Sequence, residues 1–395
     1  MRNHEIPKKA GAIVLGGPFN GLEAVHNLAF HGIPVYVLDH EACNAQFSRY
    51  IQRFFRSPHP KKEDDYVNFL IELATQQGLK GSVLFPTNDD QVRVLAKNHD
   101  LLSQYYLLTI PPWEITRHLY DKRLTYELAD RCEVPIPQTR HSMALKDLIT
   151  SITRYPVVLK PAITDHFMPS TKKKGYRAND PIELEGYYKK MVDIIDPSEI
   201  LVQEFIPGGP NYLFSYGGLF DQGEPLVGMT ARRRRQHPMD FGRASTFVES
   251  NYLPELKLLS AKLLKSIKFT GLAEVEFMYD QIDERFEFIE VNPRLWGWHS
   301  IACKAGLDLP YLEYQFVNGY KPEIKPMLDH HVKWVRLATD IPTVALEIYK
   351  KRMTLRNYIS SLSGNIMVAG FSPKDPLPFI ADFLLIPYFM KHRGF

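Results

Sequence analysis

The chain is predicted to fold as an α/β protein with more than one domain. One observation is the direct succession of a strand, a glycine turn, a helix and a second strand over residues 11–39, a βαβ unit of the kind that builds parallel sheets. Another is that short apolar runs go on alternating with helical patterns to about residue 110. The third is length: 395 residues exceed what one hydrophobic core usually supports, so subdomains and a cleft between them are expected.

In order, Ala12 to Leu15 reads as a strand, Gly16-Gly17-Pro18-Phe19-Asn20-Gly21 as a turn, the stretch to His31 as a helix and Ile33 to Leu38 as a strand ending at Asp39. A helix is predicted from Asp65 to Gln77, and a buried strand from Ser82 to Phe85 runs into Pro86-Thr87-Asn88-Asp89-Asp90. After Pro111 and Pro112 comes a helix-rich connector with Asp121 and Lys122, then the extended segment Val134 to Pro137. A second unit follows, with a strand from Pro156 to Pro161, a polar loop from Thr164 to Arg177, a helix from Pro181 to about Ile195 and a strand from Ile200 to Phe205. Strands dominate from Tyr212 to Thr246, a helix covers Leu253 to Ser266, and two strands surround Glu276 and Glu290. From about residue 320 the chain reads as helical, ending in the apolar tail Leu377 to Met390. The predicted domains are 1–110, 111–320 and 321–395.

The charge is nearly balanced, 48 basic against 45 acidic side chains for a net +3, which argues against a nucleic-acid binder. Cys43, Cys132 and Cys303 are odd in number and far apart, without disulfide or zinc spacing, so a reducing cytoplasm is expected. The N-terminus, with Glu5 and Pro7, lacks the apolar stretch of a signal peptide, and no segment reaches transmembrane length.

The segment Leu272 to Tyr279, the polar turn Asp280 to Arg285 and the segment Phe286 to Pro293 read as a β-hairpin. If Asp280 pairs with Phe286, Glu276 lies opposite Glu290 and Glu274 opposite Asn292, all on one face. Carboxylates facing each other across a ladder repel, so a divalent cation between them is one reading, and magnesium takes such a pair together with polyphosphate oxygens. An ordinary solvated hairpin face is the other.

Glu276, Glu290, Asn292 and Arg294, in the run Glu290-Val-Asn-Pro-Arg294, resemble the closing motif of the ATP-grasp superfamily. Asp121 and Lys122 resemble its first nucleotide-contacting lysine region, Val158 to Pro161 its strand lysine, and Gln203 to Gly208 its adenine hinge, in matching order over roughly residues 10 to 320. Gly16, Gly17, Asn20, Gly21, Asp240-Phe241-Gly242, Asn292 to Gly297 and Asp375 to Pro378 are similar to carboxylate-amine ligases of the D-aspartate ligase-like group. The resemblance implies an ATP-grasp fold preceded by a Rossmann-like pre-ATP-grasp domain and followed by a helical C-terminal extension. It implies an ATP-dependent ligase joining a carboxylate to an amine through an acyl phosphate, with Mg2+ (or Mn2+) and a small-molecule amino acid or carboxylate as substrate. Lys122, Lys160, Gln203, Glu204, Phe205 and Ile206 would bind ATP, Glu276, Glu290 and Asn292 the metal, and Lys160 and Arg294 would act in catalysis. An ATP-binding module without ligase activity is the alternative.

These roles suit the residue types. Lys160 ends an apolar strand, where an ammonium can meet phosphate oxygens as a point charge. The basic loop Ser170 to Arg177 reads either as a lid over the triphosphate or as a solvated loop, and of Arg232 to Arg235, on a strand, alternate members would face the cleft. The Gly16 to Gly21 turn has Pro18 where a dinucleotide fingerprint needs glycine, so it is read as turning the chain and lining the substrate pocket; Glu23, Asn88 and Asp89 are read either as further substrate-selecting residues of the cleft or as cap and turn residues. His330 and His331 show no metal-ligand spacing. The tail from Leu377, with Lys391, His392 and Arg393 behind it, either touches a membrane surface peripherally or packs on the protein or a partner subunit; a homodimer is compatible with both.

Overall fold

A computed structural model describes residues 10–240, 242, 244–322 and 331–388. Glu5, Pro7, Phe241, His330, Met390, Lys391, His392 and Arg393 lie outside the described residues.

The first unit is a parallel five-stranded sheet in the order Ile51–Arg56, Val35–Asp39, Ala12–Leu15, Val83–Pro86, Leu107–Leu108. Its central strand, Ala12–Leu15, is fully buried, as a parallel strand covered on both faces must be. The turn after it passes through Gly16 at φ +87°, and a Cβ on Gly17 would stand 2.4 Å from the Cys43 sulfur. The Gly17 N–H donates to Asp39 Oδ2 at 2.9 Å, tying the turn to the end of the next strand.

A small antiparallel sheet follows, in the order Thr139–Arg140, Ile200–Glu204, Val157–Pro161, Tyr176–Ala178, with a core of its own around Leu159, Phe167 and Met191. The stretch expected as a loop from Thr164 begins with the helix Thr164–Thr171. The large sheet has seven strands: Arg285–Asn292, Gly271–Asp280, Leu213–Asp221, Glu224–His237, Ala244–Asn251, Lys333–Val335 and Ile366–Val368.

The extension after residue 320 is helical over Leu337–Tyr349, Leu355–Ser361 and Leu377–Leu384, and also adds two strands of 3 residues to that sheet, too short to carry a readable alternation. Trp334, on the first of them, is buried in one cluster with Val14, Leu22 and Trp296, so the extension shares the first unit's core. The Leu377–Leu384 helix packs on the Asn44–Phe47 turn. Among the described residues no helix is long and apolar enough to cross a membrane.

Candidate functional site

Two adjoining cavities lie where the three sheets meet. One, of about 230 Å³, has apolar walls from Val158, Ile206, Leu213 and Met278 and polar groups from Lys160 and Gln203. The other, of about 380 Å³, runs from Asp89 on the first unit to Asn292 and Arg294 behind the hairpin. Lys122, Thr164, Lys174, Ile289 and Glu290 line both.

In the smaller cavity, Lys160 donates to Gln203 Oε1 at 2.7 Å and to the Tyr126 hydroxyl at 2.5 Å. Gln203 in turn donates to Thr139 Oγ1 at 2.7 Å, which fixes its amide orientation. Burial lowers the Lys160 pKa to about 8, although the charge of Glu290 pulls it upward. Along the strand end, the Glu204 and Phe205 N–H groups donate to the carbonyls of Gln138 and Pro156. The Ile206 N–H has no acceptor among the described residues and is a free donor at this strand end. The Glu204 carboxylate is turned to Arg154 at 3.0 Å.

Glu276 and Glu290 face each other across the hairpin ladder, and Glu274 faces Asn292. Their anchoring differs from the expected register. Asp280 pairs with Arg285, and the skip of Ile289 between the Phe277–Phe288 and Glu276–Glu290 pairs restores the carboxylate alignment. Arg233 approaches Glu276 at 3.1 Å, while Lys122 and Lys174 each stand 3.7 Å from Glu290. Burial opposes the ionised form of Glu290, yet Lys174, Lys122, Lys160 and Arg233 outweigh it and bring its pKa to about 2. No hydrogen-bond donor among the described residues reaches its oxygens, so a hard, oxygen-seeking cation fits here. The Asn292 amide nitrogen donates to Glu276 and Glu274 at 3.2 and 3.1 Å, and its oxygen accepts from Arg294 at 3.1 Å.

Arg294 Nε donates to Asp89 Oδ1 at 2.6 Å, bridging the hairpin's end to the first unit. Among the other candidates, Asn88 caps the Asp89–Lys97 helix, and Glu23 lines neither cavity but is buried, accepting from the Gly370 N–H at 3.1 Å. The turn glycines line neither cavity; Asn20 instead donates to the carbonyls of Thr87 and Leu295. Of the four arginines only Arg233 reaches the cleft carboxylates. Register shifts around Arg233 and Arg235 break the alternation and send Arg235 to Asp340 at 2.8 Å, inside the protein.

Tyr126, Thr164 and Arg336 also line or support the site and were not singled out from sequence, since no local pattern marks them. Lys174 was one of three consecutive lysines, and only the fold separates it from its neighbours.

Residues 228–324 match the family model of the carbamoyl-phosphate synthase L chain, ATP binding domain. The chain is 19% identical over 287 residues to the carbamoyl phosphate synthase large chain of Methanothermobacter thermautotrophicus, covering 67% of this chain and 26% of that one. It spans from 6% to 26% of the length of the curated relatives it matches. Among solved structures it is similar to the biotin carboxylase domain dimer of Hydrogenobacter thermophilus 2-oxoglutarate carboxylase in complex with MgADP, ADP and bicarbonate (TM-score 0.63, 16% identity, 80% of this chain, 71% of that chain). It is also similar to the L-amino acid ligase of Bacillus licheniformis (TM-score 0.59, 17% identity, 80% of this chain, 77% of that chain).

Proposed function

We propose that the chain is an ATP- and magnesium-dependent carboxylate-amine ligase of the ATP-grasp type, a reading supported by the match of residues 228–324 to the ATP-binding-domain family model and by the likeness of its fold to solved structures. A substrate carboxylate oxygen attacks the γ-phosphorus of ATP and ADP leaves; the amine then attacks the acyl carbon and phosphate leaves, giving an amide. The observation that carries this reading is the pair of cavities joined at Glu290 and Lys122, one an apolar slot with a hinge donor and a buried lysine, the other ending on an arginine.

In this reading Val158, Ile206, Leu213 and Met278 enclose the adenine, with Ile206 N–H facing its edge, and Gln203, Glu204 and Phe205 form the hinge. Lys160 and Lys122 meet phosphate oxygens as point charges. Glu276, Glu290 and Asn292 would hold magnesium, which would neutralise polyphosphate charge there. Arg294 clamps the reacting carboxylate. Positioning and charge neutralisation suffice for phosphoryl transfer, so a nucleophilic triad is not required.

The test is magnesium-dependent nucleotide release from ATP with a panel of D- and L-amino acids and small carboxylates, with hydroxylamine present. ADP together with a hydroxamate supports the reading. AMP and pyrophosphate would mean adenylate chemistry, and nucleotide binding without release across the panel would favour a binding module.

A further inference from the structure

The larger cavity is not walled by the first unit and the hairpin alone, because Arg336 and Thr339 of the C-terminal extension also line it. Arg336 follows the Lys333–Val335 strand and is held on two sides. Its Nε and Nη2 donate to the two oxygens of Asp382 at 3.3 and 2.9 Å, a fork supplied by the Leu377–Leu384 helix. Its guanidinium carbon lies 4.1 Å from the centre of the Phe19 ring. Nη1 has no acceptor among the described residues, although the side chain is only 11% exposed. That N–H pair is not sealed in the protein but opens on the cavity, where an anionic group of a ligand can take the place of water.

The other cations of this cavity are engaged already: Arg294 with Asp89 and Asn292, Lys122 and Lys174 with Glu290. Carboxylates of Asp89 and Asp165 line the same space. A cavity with a free guanidinium edge and carboxylates elsewhere on its wall fits a dipolar ligand.

We propose that Arg336 is a specificity-determining residue supplied by the C-terminal extension, and that it binds the free carboxylate of an α-amino acid serving as the amine substrate. The assignment rests on the ligase reading above for the word substrate, though the binding it describes does not require turnover. Asp382 is a positioning residue: it leaves Nη1 as the one donor edge unengaged and keeps the guanidinium over Phe19. The extension thereby takes part in choosing what is ligated.

The experiment is a thermal-shift titration of the full chain, with magnesium and ADP present, using a panel of L- and D-amino acids and the carboxamide of each. The wild type is expected to bind at least one amino acid about ten- to a hundredfold more tightly than its carboxamide. Arg336→Gln should lose that discrimination. The double variant Arg336→Gln/Asp382→Asn, which leaves no uncompensated buried carboxylate, should lose it equally. A wild type that treats acid and carboxamide alike, or variants that keep the wild-type preference, would overturn the proposal. Because the readout is binding, an enzyme that discriminates but releases no ADP would count against the ligase reading and leave Arg336 in its role.

Discussion

Glu276 and Glu290 are ladder partners across the Gly271–Asp280 and Arg285–Asn292 strands, and a one-residue bulge at Ile289 aligns them. The pair brings a carboxylate held by Arg233 into register with one that no hydrogen-bond donor among the described residues satisfies. Replacing Glu290 by alanine is expected to abolish ATP turnover, a loss of at least about a thousandfold if metal binding fails, with the far-UV circular dichroism of the wild type retained. ATP consumption at the wild-type rate would remove Glu290 from the machinery.

Lys160, with its pKa lowered to about 8 by burial, should make nucleotide binding sensitive to alkaline pH. The ammonium is the form that attracts phosphate, so affinity for MgADP is expected to be flat below about pH 8 and to fall as pH rises through that value. The limiting slope is about tenfold per unit for one proton. Lys160→Arg, which does not titrate in this range, should flatten the curve. Isothermal titration from pH 6.5 to 9.5 decides, and a flat wild-type profile would mean that the lysine does not face the phosphates.

Tyr126 links the lysine to the bulge: its hydroxyl accepts from Lys160 and donates to the Ile289 carbonyl at 2.7 Å. Tyr126→Phe leaves that carbonyl and the ammonium each short of a partner. We expect a stability loss of about 1–2 kcal/mol in urea unfolding and a weaker MgADP affinity, by about three- to tenfold. If stability falls while affinity is unchanged, Tyr126 serves the bulge alone.

Glu313 is buried and accepts the Leu272 N–H at 2.8 Å, and burial raises its pKa to about 8. The folded chain therefore keeps its proton while the unfolded chain has already lost it, over the window from 4.5 to about 8. Its contribution is fully present below 4.5 and is lost as pH rises to about 8, with a ceiling of about 1.4 kcal/mol per unit. Glu313→Gln keeps an acceptor for Leu272 and cannot ionise, so its melting temperature should exceed that of the wild type increasingly from pH 5 to pH 8. Parallel melting curves across that range would refute the assignment.

The amino-acid order by itself determined the parallel first sheet, the hairpin and the lysine strand, because apolar runs, turn residues and alternation report local burial. It also carried the resemblance that singled out Lys122, Lys160, Glu276, Glu290, Asn292 and Arg294, all of which line or support the two joined cavities. The tertiary structure alone decided the rest. A bulge moves every later side chain by one place without leaving a trace in composition, so neither the extra residue Ile289 nor the separation of Arg233 from Arg235 was legible. Lys174 reaches Glu290, and Arg336 reaches the cavity with Asp382 behind it, across separations of tens of residues or more. Such contacts depend on how the sheets and the extension pack together, and periodicity within one segment contains no information about that.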